Sequence, residues 1–248
     1  MRDLLARLFA KYVPFNYKVW ATVQHDVQIQ TCVQATQASA AYALANMPFA
    51  RHFTGSKLTE WSIDNQGRDK LLAYALESAI ADGLVMEFGV HTGSSINVIA
   101  GLTRGAVHGF DSFEGLPEDW KAGSLKGEFS IAGRLPKVRP NVTLHPGWFE
   151  NTVAPFMATQ SQHVTLLHID CDLYSSTMTV LRACDRALRV GTVIVFDEYF
   201  NYPGWEQHEF KAWKEFVAER GISYEYIGYA ARHYSVAVRI TAIRSAST

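Results

Sequence analysis

Hydrophobic residues follow two different periods along the chain, and the change occurs just after residue 82. In the first part they recur at helical spacing, in the alanine-rich residues 36–47 and again in residues 70–80. No strand-like run interrupts this part of the sequence. The pattern predicts a helical N-terminal extension or cap over residues 1–82, followed by a second domain over residues 83–248.

In the second part, short β-type runs alternate with helical runs. Alternation of this kind predicts a mostly parallel sheet with right-handed crossover helices on both faces. The predicted helices cover residues 96–102, 174–188 and 205–219. The predicted strands cover residues 84–90, 107–110, 142–145, 164–169, 192–196, 224–229 and 235–240.

The last two predicted strands break this rhythm, because only five residues, A-A-R-H-Y, join them. A link that short cannot contain a crossover helix, so the last strand is predicted to run antiparallel to its neighbour. The predicted fold is therefore α/β, a Rossmann-like seven-stranded, mostly parallel sheet with an antiparallel last strand, plus the N-terminal helical extension.

Basic and acidic residues nearly balance, 23 against 24, so the charge indicates neither nucleic acid nor an anionic membrane as a partner. A small, weakly charged substrate fits better. The three cysteines, Cys32, Cys171 and Cys184, lack paired spacing of the C-x-x-C type. Their distribution favours reduced thiols in a cytoplasmic protein.

The first 15 residues combine helical apolar spacing with basic residues. The segment is too short and too charged to be a transmembrane helix, and it lacks the apolar run and cleavage site of a secretory signal. It is predicted to pack on its own domain or on a second subunit, which would form a homo-oligomer through the N-terminal helices. The alternative is contact with a membrane surface.

A turn with two glycines joins the first predicted strand of the sheet to the following helix. Glu87 lies at the strand end, Gly89 and Gly93 allow a close approach of the backbone to a ligand, and Ser94 or Ser95 can cap the helix. The spacing E-x-G-x-x-x-G lacks the close glycine pair that a pyrophosphate requires. The turn therefore indicates a smaller adenosyl ligand.

Other residues near the predicted strand ends extend this candidate cofactor site. Asp111 follows Gly89 by 22 residues, which is where an acid that binds ribose hydroxyls is expected. His91 lies in the turn and is a candidate for ligand contact. Trp148 and Phe149 are candidates for an adenine slot, with ordinary core packing as the alternative.

Two further predicted strands end in pairs of acids. Asp170 and Asp172 follow one strand, and Asp197 and Glu198 follow the next, so up to four carboxylates are expected at one sheet edge. Their repulsion requires protons or a cation, and oxygen ligands favour Mg²⁺, Mn²⁺ or Ca²⁺. The alternatives are a helix cap for Asp172 and a solvated loop for Asp197 and Glu198. His168 is expected to be a core histidine rather than a catalyst.

Five segments in this order resemble the macrocin O-methyltransferase family, within the class I S-adenosylmethionine-dependent methyltransferases. The segments are E-F-G-V-H-T-G-S-S, G-F-D-S-F-E-G-L-P, G-W-F-E-N-T, H-I-D-C-D-L-Y-S-S-T and G-T-V-I-V-F-D-E-Y. The resemblance covers residues 84–219. It implies a seven-stranded class I domain and magnesium-dependent methylation of hydroxyls on sugars of macrolide and aminocoumarin natural products.

The resemblance also implies roles for individual residues. Asp170, Asp197 and Glu198 match its metal-ligand positions, for Mg²⁺ or Mn²⁺, and Asp172 matches its general base. The family usually has two aspartates where this chain has Asp197 and Glu198. The resemblance, the glycine turn and the strand ends together indicate a set of candidate cofactor-binding residues. These are Glu87, Gly89, His91, Thr92, Gly93, Ser94, Asp111, Ser112, Trp148, Phe149 and Asp170.

The expected function is that of an S-adenosylmethionine-dependent, divalent-metal-assisted O-methyltransferase that acts on a hydroxyl of a small molecule, such as the sugar of a natural product or glycan. The alternatives are a non-catalytic adenosyl-binding or scaffold protein and a nicotinamide-dependent oxidoreductase. The missing G-x-G-x-x-G counts against the oxidoreductase. Residues 121–140 are a candidate substrate lid, and the aromatic run Tyr199, Phe200, Tyr202 and Trp205 suits stacking on an acceptor ring.

Overall fold

A computed structural model describes residues 14–56, 63–121 and 123–244 of the 248-residue chain. The helix expected near the start of the chain lies outside the described residues. The elements before the sheet's central strands are α1 (Pro14–Asn46), β1 (Arg51–His52) and α2 (Asn65–Ser78). The elements that follow are β2 (Leu84–Phe88), α3 (Ser94–Leu102), β3 (Val107–Asp111), β4 (Val142–Pro146), α4 (Phe149–Ala158), β5 (Val164–Ile169), α5 (Tyr174–Cys184), β6 (Val193–Phe196), α6 (Glu209–Arg220), β7 (Ile222–Ala230) and β8 (Ser235–Ile243).

The eight strands form one sheet in the order β1-β7-β8-β6-β5-β2-β3-β4. Strands β2 to β6 pair in parallel, whereas β8 runs antiparallel to both of its neighbours. The predicted α/β class, the mostly parallel sheet and the reversed last strand are therefore confirmed. Between β7 and β8 the chain makes only a short 3₁₀ turn, Ala231–His233, as the short link required.

The extra strand is β1, which lies in the part of the chain that was expected to contain no strand. Arg51 pairs with Gly228 and His52 with Tyr229, in parallel. Both strand residues are exposed, and two residues are too few to show a period of two. The expectation was wrong here because the open edge of β7, and not local sequence, selects the extended conformation.

The core lies on both faces of the sheet, as the alternation of side chains along β6 shows. Val193 and Val195 face the layer that contains α2 and α3, and Ile194 and Phe196 face the layer that contains α5 and α6. In α2, Leu71 and Leu72 are fully buried against the sheet. The boundary predicted after residue 82 stays a prediction, although α2, on its N-terminal side, already contributes to this core.

Helix α1 contacts the domain near its C-terminal end. Ala35 and Ser39 are buried, and the Tyr42 hydroxyl lies 2.6 Å from that of Tyr226 on β7. The predicted self-association through the N-terminal helices stays a prediction. Val27 and Leu44 are among the large apolar side chains that α1 exposes. Within the described parts of the chain, no helix is both long and apolar enough to cross a membrane.

Because β2 to β6 are parallel, their carboxyl ends lie at the same edge of the sheet. Beyond β3, the described residues up to β4 form loops and turns, with one isolated bridge between Lys121 and Ser124. Leu116, Pro117 and Phe129 of this segment line the cavity described below. The substrate lid predicted for residues 121–140, which include Phe129, stays a prediction.

Candidate active site

A cavity of about 330 Å³ opens at the carboxyl edge of the sheet. Ten of the fourteen candidate cofactor, metal and catalytic residues lie on its wall, namely Gly89, His91, Asp111, Ser112, Trp148, Phe149, Asp170, Asp172, Asp197 and Glu198. Four do not line it: Thr92, Gly93 and Ser94 continue the turn beside it, and Glu87 is buried behind it with no exposed surface.

The turn after β2 requires its first glycine. Gly89 has φ +92°, and a Cβ atom there would overlap the backbone carbonyl oxygen of Asp170. Gly93, at φ +82°, is itself the N-cap of α3, with no side-chain cap hydrogen bond. The serine cap expected for this helix was therefore wrong. The Ser95 hydroxyl instead donates to Glu87 Oε1 at 3.1 Å.

Asp111 ties this turn to the end of β3. Its Oδ2 accepts from the backbone N–H groups of Val90 and His91, at 2.8 and 2.7 Å, and its Oδ1 accepts from that of Phe113 at 2.6 Å. An ionised carboxylate offers about four lone-pair sites, so roughly one remains for a ligand hydroxyl. Asp111 can therefore shape the turn and still accept one hydrogen bond from the cavity.

A buried ionic chain crosses the sheet below the cavity. His168 Nδ1 lies 3.0 Å from Glu87 Oε2, and its Nε2 lies 3.4 Å from Asp197 Oδ1. Burial alone would lower the pKa of His168, but the hydrogen bonds to Asp197 and Glu87 outweigh it and raise the pKa to about 10. Burial raises the pKa of Glu87. The expectation of a partnered core histidine is confirmed.

Asp197 interacts mainly with the other members of this buried ionic chain. Its Oδ1 also accepts from the Ser235 hydroxyl at 3.1 Å and lies 3.5 Å from His233 Nδ1. Burial would raise the pKa of Asp197, but the charge of His233 and the hydrogen bond from His168 hold it well below its usual range. Asp197 is 3% exposed, so the alternative of a solvated loop was wrong for it.

The other three acids form a cluster on the cavity wall. Carboxylate oxygens of Asp170, Asp172 and Glu198 all lie within 4.8 Å of one another. Burial, together with the charge of Asp197, raises the pKa of Asp170, and burial with the charge of Asp172 raises that of Glu198. Burial raises the pKa of Asp172 to about 7, although Lys121 opposes this.

The helix-cap alternative for Asp172 was wrong, because the N-cap of α5 is Leu173. Asp172 has φ +61°, a left-handed conformation that turns the chain at this point. Oε2 of Glu198 is buried and has no hydrogen-bond partner within the described residues. Three close carboxylates with an unpartnered buried oxygen fit a hard divalent cation, which would supply the charge that ionisation of all three requires.

Arg68 and Glu209 are charged residues of the site that were not found in the sequence. Arg68 of α2 lines the cavity and is 6% exposed. Glu209, the first residue of α6, is fully buried and accepts from the backbone N–H groups of Cys171 and Glu198, both at 3.1 Å. No sequence signal separates either residue from an ordinary helix charge, since an acid in a first helical turn is common on surfaces.

The aromatic run after β6 has a different place from the one expected. Tyr199, Phe200, Tyr202 and Trp205 are at most 4% exposed and belong to the core, so the expected stacking on an acceptor ring was wrong. Tyr234, in the turn before β8, lines the cavity instead.

Comparison with known proteins identifies the central segment. Residues 86–199 match the profile of a family described as a methyltransferase domain. The 8-demethyl-8-(2,3-dimethoxy-alpha-L-rhamnosyl)-tetracenomycin-C 4'-O-methyltransferase of Streptomyces olivaceus is 30% identical, over 52% of this chain and 58% of the relative. The match thus spans less than two thirds of that relative's length.

Two solved structures show the same fold. The calicheamicin methyltransferase CalS11 superimposes with a TM-score of 0.56 at 21% identity, covering 85% of this chain and 91% of that chain. The O-methyltransferase NovP gives a TM-score of 0.52 at 23% identity, covering 71% and 80%. The resemblance stated from the sequence motifs is confirmed at the level of the methyltransferase domain: residues 86–199 match that family, and the chain has the fold of these two methyltransferases.

Proposed function

We propose that the chain is an S-adenosylmethionine-dependent O-methyltransferase that transfers a methyl group to a hydroxyl of a small molecule, with assistance from a divalent metal. One observation carries the proposal. The glycine turn at Gly89, the acid Asp111 and the clustered carboxylates Asp170, Asp172 and Glu198 all line one cavity. A cofactor-type turn and an acidic acceptor site therefore lie within reach of a single bound substrate pair.

The cofactor is proposed to lie along the turn. Its ribose would use the lone pair of Asp111 that the backbone leaves free, and its adenine would lie against Trp148 and Phe149 on the cavity wall. Phe149 is held in place by an edge contact with Phe88, with ring centroids 5.9 Å apart. The amino-acid end would then reach the glycine turn beyond Gly89, and the sulfonium supplies an electrophilic methyl group.

The metal is proposed to bind at the acidic cluster. The geometry and the family resemblance both favour Asp170 and Glu198 as ligands, and the third would be Asp172 of the observed cluster or Asp197, which the resemblance favours. A divalent ion there would lower the pKa of an acceptor hydroxyl and orient it. Asp197 has its Oδ1 engaged by Ser235, which leaves its other oxygen for such a role.

The acceptor is proposed to be a hydroxyl on a sugar of a natural product or glycan, methylated in the cytoplasm. The support comes from the relative in Streptomyces olivaceus, whose name describes methylation at the 4' position of a rhamnosyl tetracenomycin. Asp172, on the cavity wall, would accept the hydroxyl proton as the methyl group is transferred.

Calorimetric titration with S-adenosylhomocysteine, followed by an acceptor assay, tests the proposal. We expect micromolar binding, and methyl transfer to a rhamnosylated aromatic compound but not to the same aglycone without its sugar. Transfer should fall on treatment with EDTA and return with Mg²⁺. Binding without transfer to any hydroxylated acceptor would favour the non-catalytic alternative, and absence of binding would refute the cofactor assignment.

Replacing Asp172 by asparagine tests its role as proton acceptor. The Asp172→Asn variant should lose at least 100-fold in turnover, as expected when a general base is removed, while it keeps its affinity for S-adenosylhomocysteine. Asp82→Asn is the matched control, because Asp82 has a similar φ of +63° but is exposed and lies before β2, at the opposite edge. Turnover of Asp172→Asn equal to that of Asp82→Asn would exclude the role.

A further inference from the structure

Arg68 is a buried cation with an unused donor on the cavity wall. Its Nε and Nη2 donate to Asp69 Oδ1 at 3.1 and 2.9 Å, and its Nη2 lies 3.4 Å from the Ser94 hydroxyl. None of the hydrogen bonds within the described residues uses Nη1. The side chain is only 7% exposed and lies on the cavity wall, so Nη1 is a donor that a ligand in the cavity can engage.

Its position places positive charge at one end of the glycine turn. Ser94 is the first residue of α3, whose N-terminal N–H groups carry the positive end of the helix dipole. Asp111 bonds to the turn at its other end, through Val90 and His91. A ligand that lies along the turn with its ribose at Asp111 therefore extends its far end toward Arg68.

The charge of Arg68 is retained despite burial. Burial alone would lower the pKa of the guanidinium, but the charge of Asp197 and the contacts with Asp69 outweigh it and raise the pKa. Asp69 is itself 37% exposed, so it neutralises Arg68 only in part. The site therefore presents a permanent cation whose Nη1 can donate to a ligand carboxylate in a charge-assisted hydrogen bond.

We propose that Arg68 binds the α-carboxylate at the amino-acid end of S-adenosylmethionine. The inference rests on the proposed function and adds a binding residue from α2, which lies outside the matched segment 86–199. Arg68 would fix the direction of the cofactor along the turn. The methyl group would in this way be turned toward the carboxylates of the acceptor site.

Two probes separate a carboxylate contact from a general effect on the site. S-adenosylhomocysteine carries the carboxylate, and its decarboxylated analogue, S-adenosyl-3-thiopropylamine, differs only in lacking it. Calorimetry should show tighter binding of S-adenosylhomocysteine by the wild type, and Arg68→Gln should weaken that binding on the order of 10- to 100-fold, as for a charge-assisted hydrogen-bonded pair. Binding of the analogue to Arg68→Gln should stay within about twofold of wild type, because the contact being removed is one that the analogue never makes.

The controls distinguish the possible failures. Arg182→Gln removes an arginine that is 64% exposed and should leave both affinities unchanged. Arg68→Lys keeps the charge and should recover part of the preference for S-adenosylhomocysteine. Equal loss of both ligands in Arg68→Gln, or equal affinities for both ligands in the wild type, would overturn the assignment of Arg68 alone. Binding of neither ligand by the wild type would overturn the proposed function together with it.

Discussion

Glu209 connects the two loops that carry the acidic cluster, and its isosteric replacement by glutamine tests this connection. One carboxylate oxygen accepts from the N–H of Cys171, between Asp170 and Asp172, and the other accepts from the N–H of Glu198. Both loops follow buried strands of the sheet, β5 and β6. We expect Glu209→Gln to lower the free energy of unfolding. We also expect it to move the carboxylates of Asp170 and Asp172 away from that of Glu198.

The magnitude follows from the donors that face the side chain. A glutamine amide has one acceptor oxygen, and its NH₂ group would be placed against the second backbone N–H. One buried N–H is then left without an acceptor, at a cost of about 1–3 kcal/mol in the free energy of unfolding. For a domain of this length, that cost corresponds to a decrease of roughly 2–12 °C in melting temperature.

Thermal unfolding followed by circular dichroism measures the loss of stability. Turnover under saturating cofactor measures the effect of separating the carboxylates. Glu219→Gln is the control, because Glu219 lies on the same helix, is 58% exposed and has only a 3.6 Å contact with Arg182. Its melting temperature should stay close to that of the wild type, since surface pairs contribute about 0–1 kcal/mol. Equal melting temperatures and equal turnover for the two variants would refute the connecting role of Glu209.

Two further substitutions test the core and the turn. Leu71→Ala should reduce the free energy of unfolding in urea by about 2–5 kcal/mol, because Leu71 is fully buried between α2 and the sheet; a loss under about 1 kcal/mol would show that α2 is not part of the domain core. Gly89→Ala should abolish binding of S-adenosylhomocysteine by calorimetry, since the added Cβ overlaps the carbonyl of Asp170. Gly123→Ala is the control, because Gly123 has φ +98° but open space around an added Cβ, so it shows the effect of backbone strain alone. If Gly89→Ala bound S-adenosylhomocysteine as tightly as Gly123→Ala, the overlap with Asp170 would not be the cause of lost binding.

The sheet and the location of the site could be predicted from the sequence. Alternating strands and helices indicate a parallel sheet, and a parallel sheet determines where its strand ends meet. Once strands of one direction are predicted, the residues after each strand must meet at one edge, whatever the helices between them do. Asp111, Asp170 and Asp197 were placed in this way, and each lines the cavity. The reversed last strand followed from loop length alone. These inferences use only local runs and chain connectivity, which a single sequence contains.

The residues that were missed depend on contacts between distant parts of the chain. Arg68 meets the turn across 26 positions at Ser94, and Glu209 reaches Cys171 across 38 positions. Strand β1 forms only because the edge of β7 is open beside it. Local composition does not specify such contacts, since the same residues on a solvated helix or loop would have the same periodicity.

The four acids after β5 and β6 look alike in the sequence, because each follows the end of a buried strand. In the structure they fall into two groups, which differ in the side chains that contact them. Asp197 lies against His168, His233 and Ser235, so its charge is compensated within the protein. Asp170, Asp172 and Glu198 lie close together on the cavity wall, and their pKa values are raised because desolvation is not offset by a full set of partners. An uncompensated cluster requires protons or a cation, whereas a compensated carboxylate can hold its loop without either. Glu209 is a further, fully buried acid at this edge, and by accepting hydrogen bonds from the loops after β5 and β6 it holds the three clustered carboxylates near one another despite their mutual repulsion.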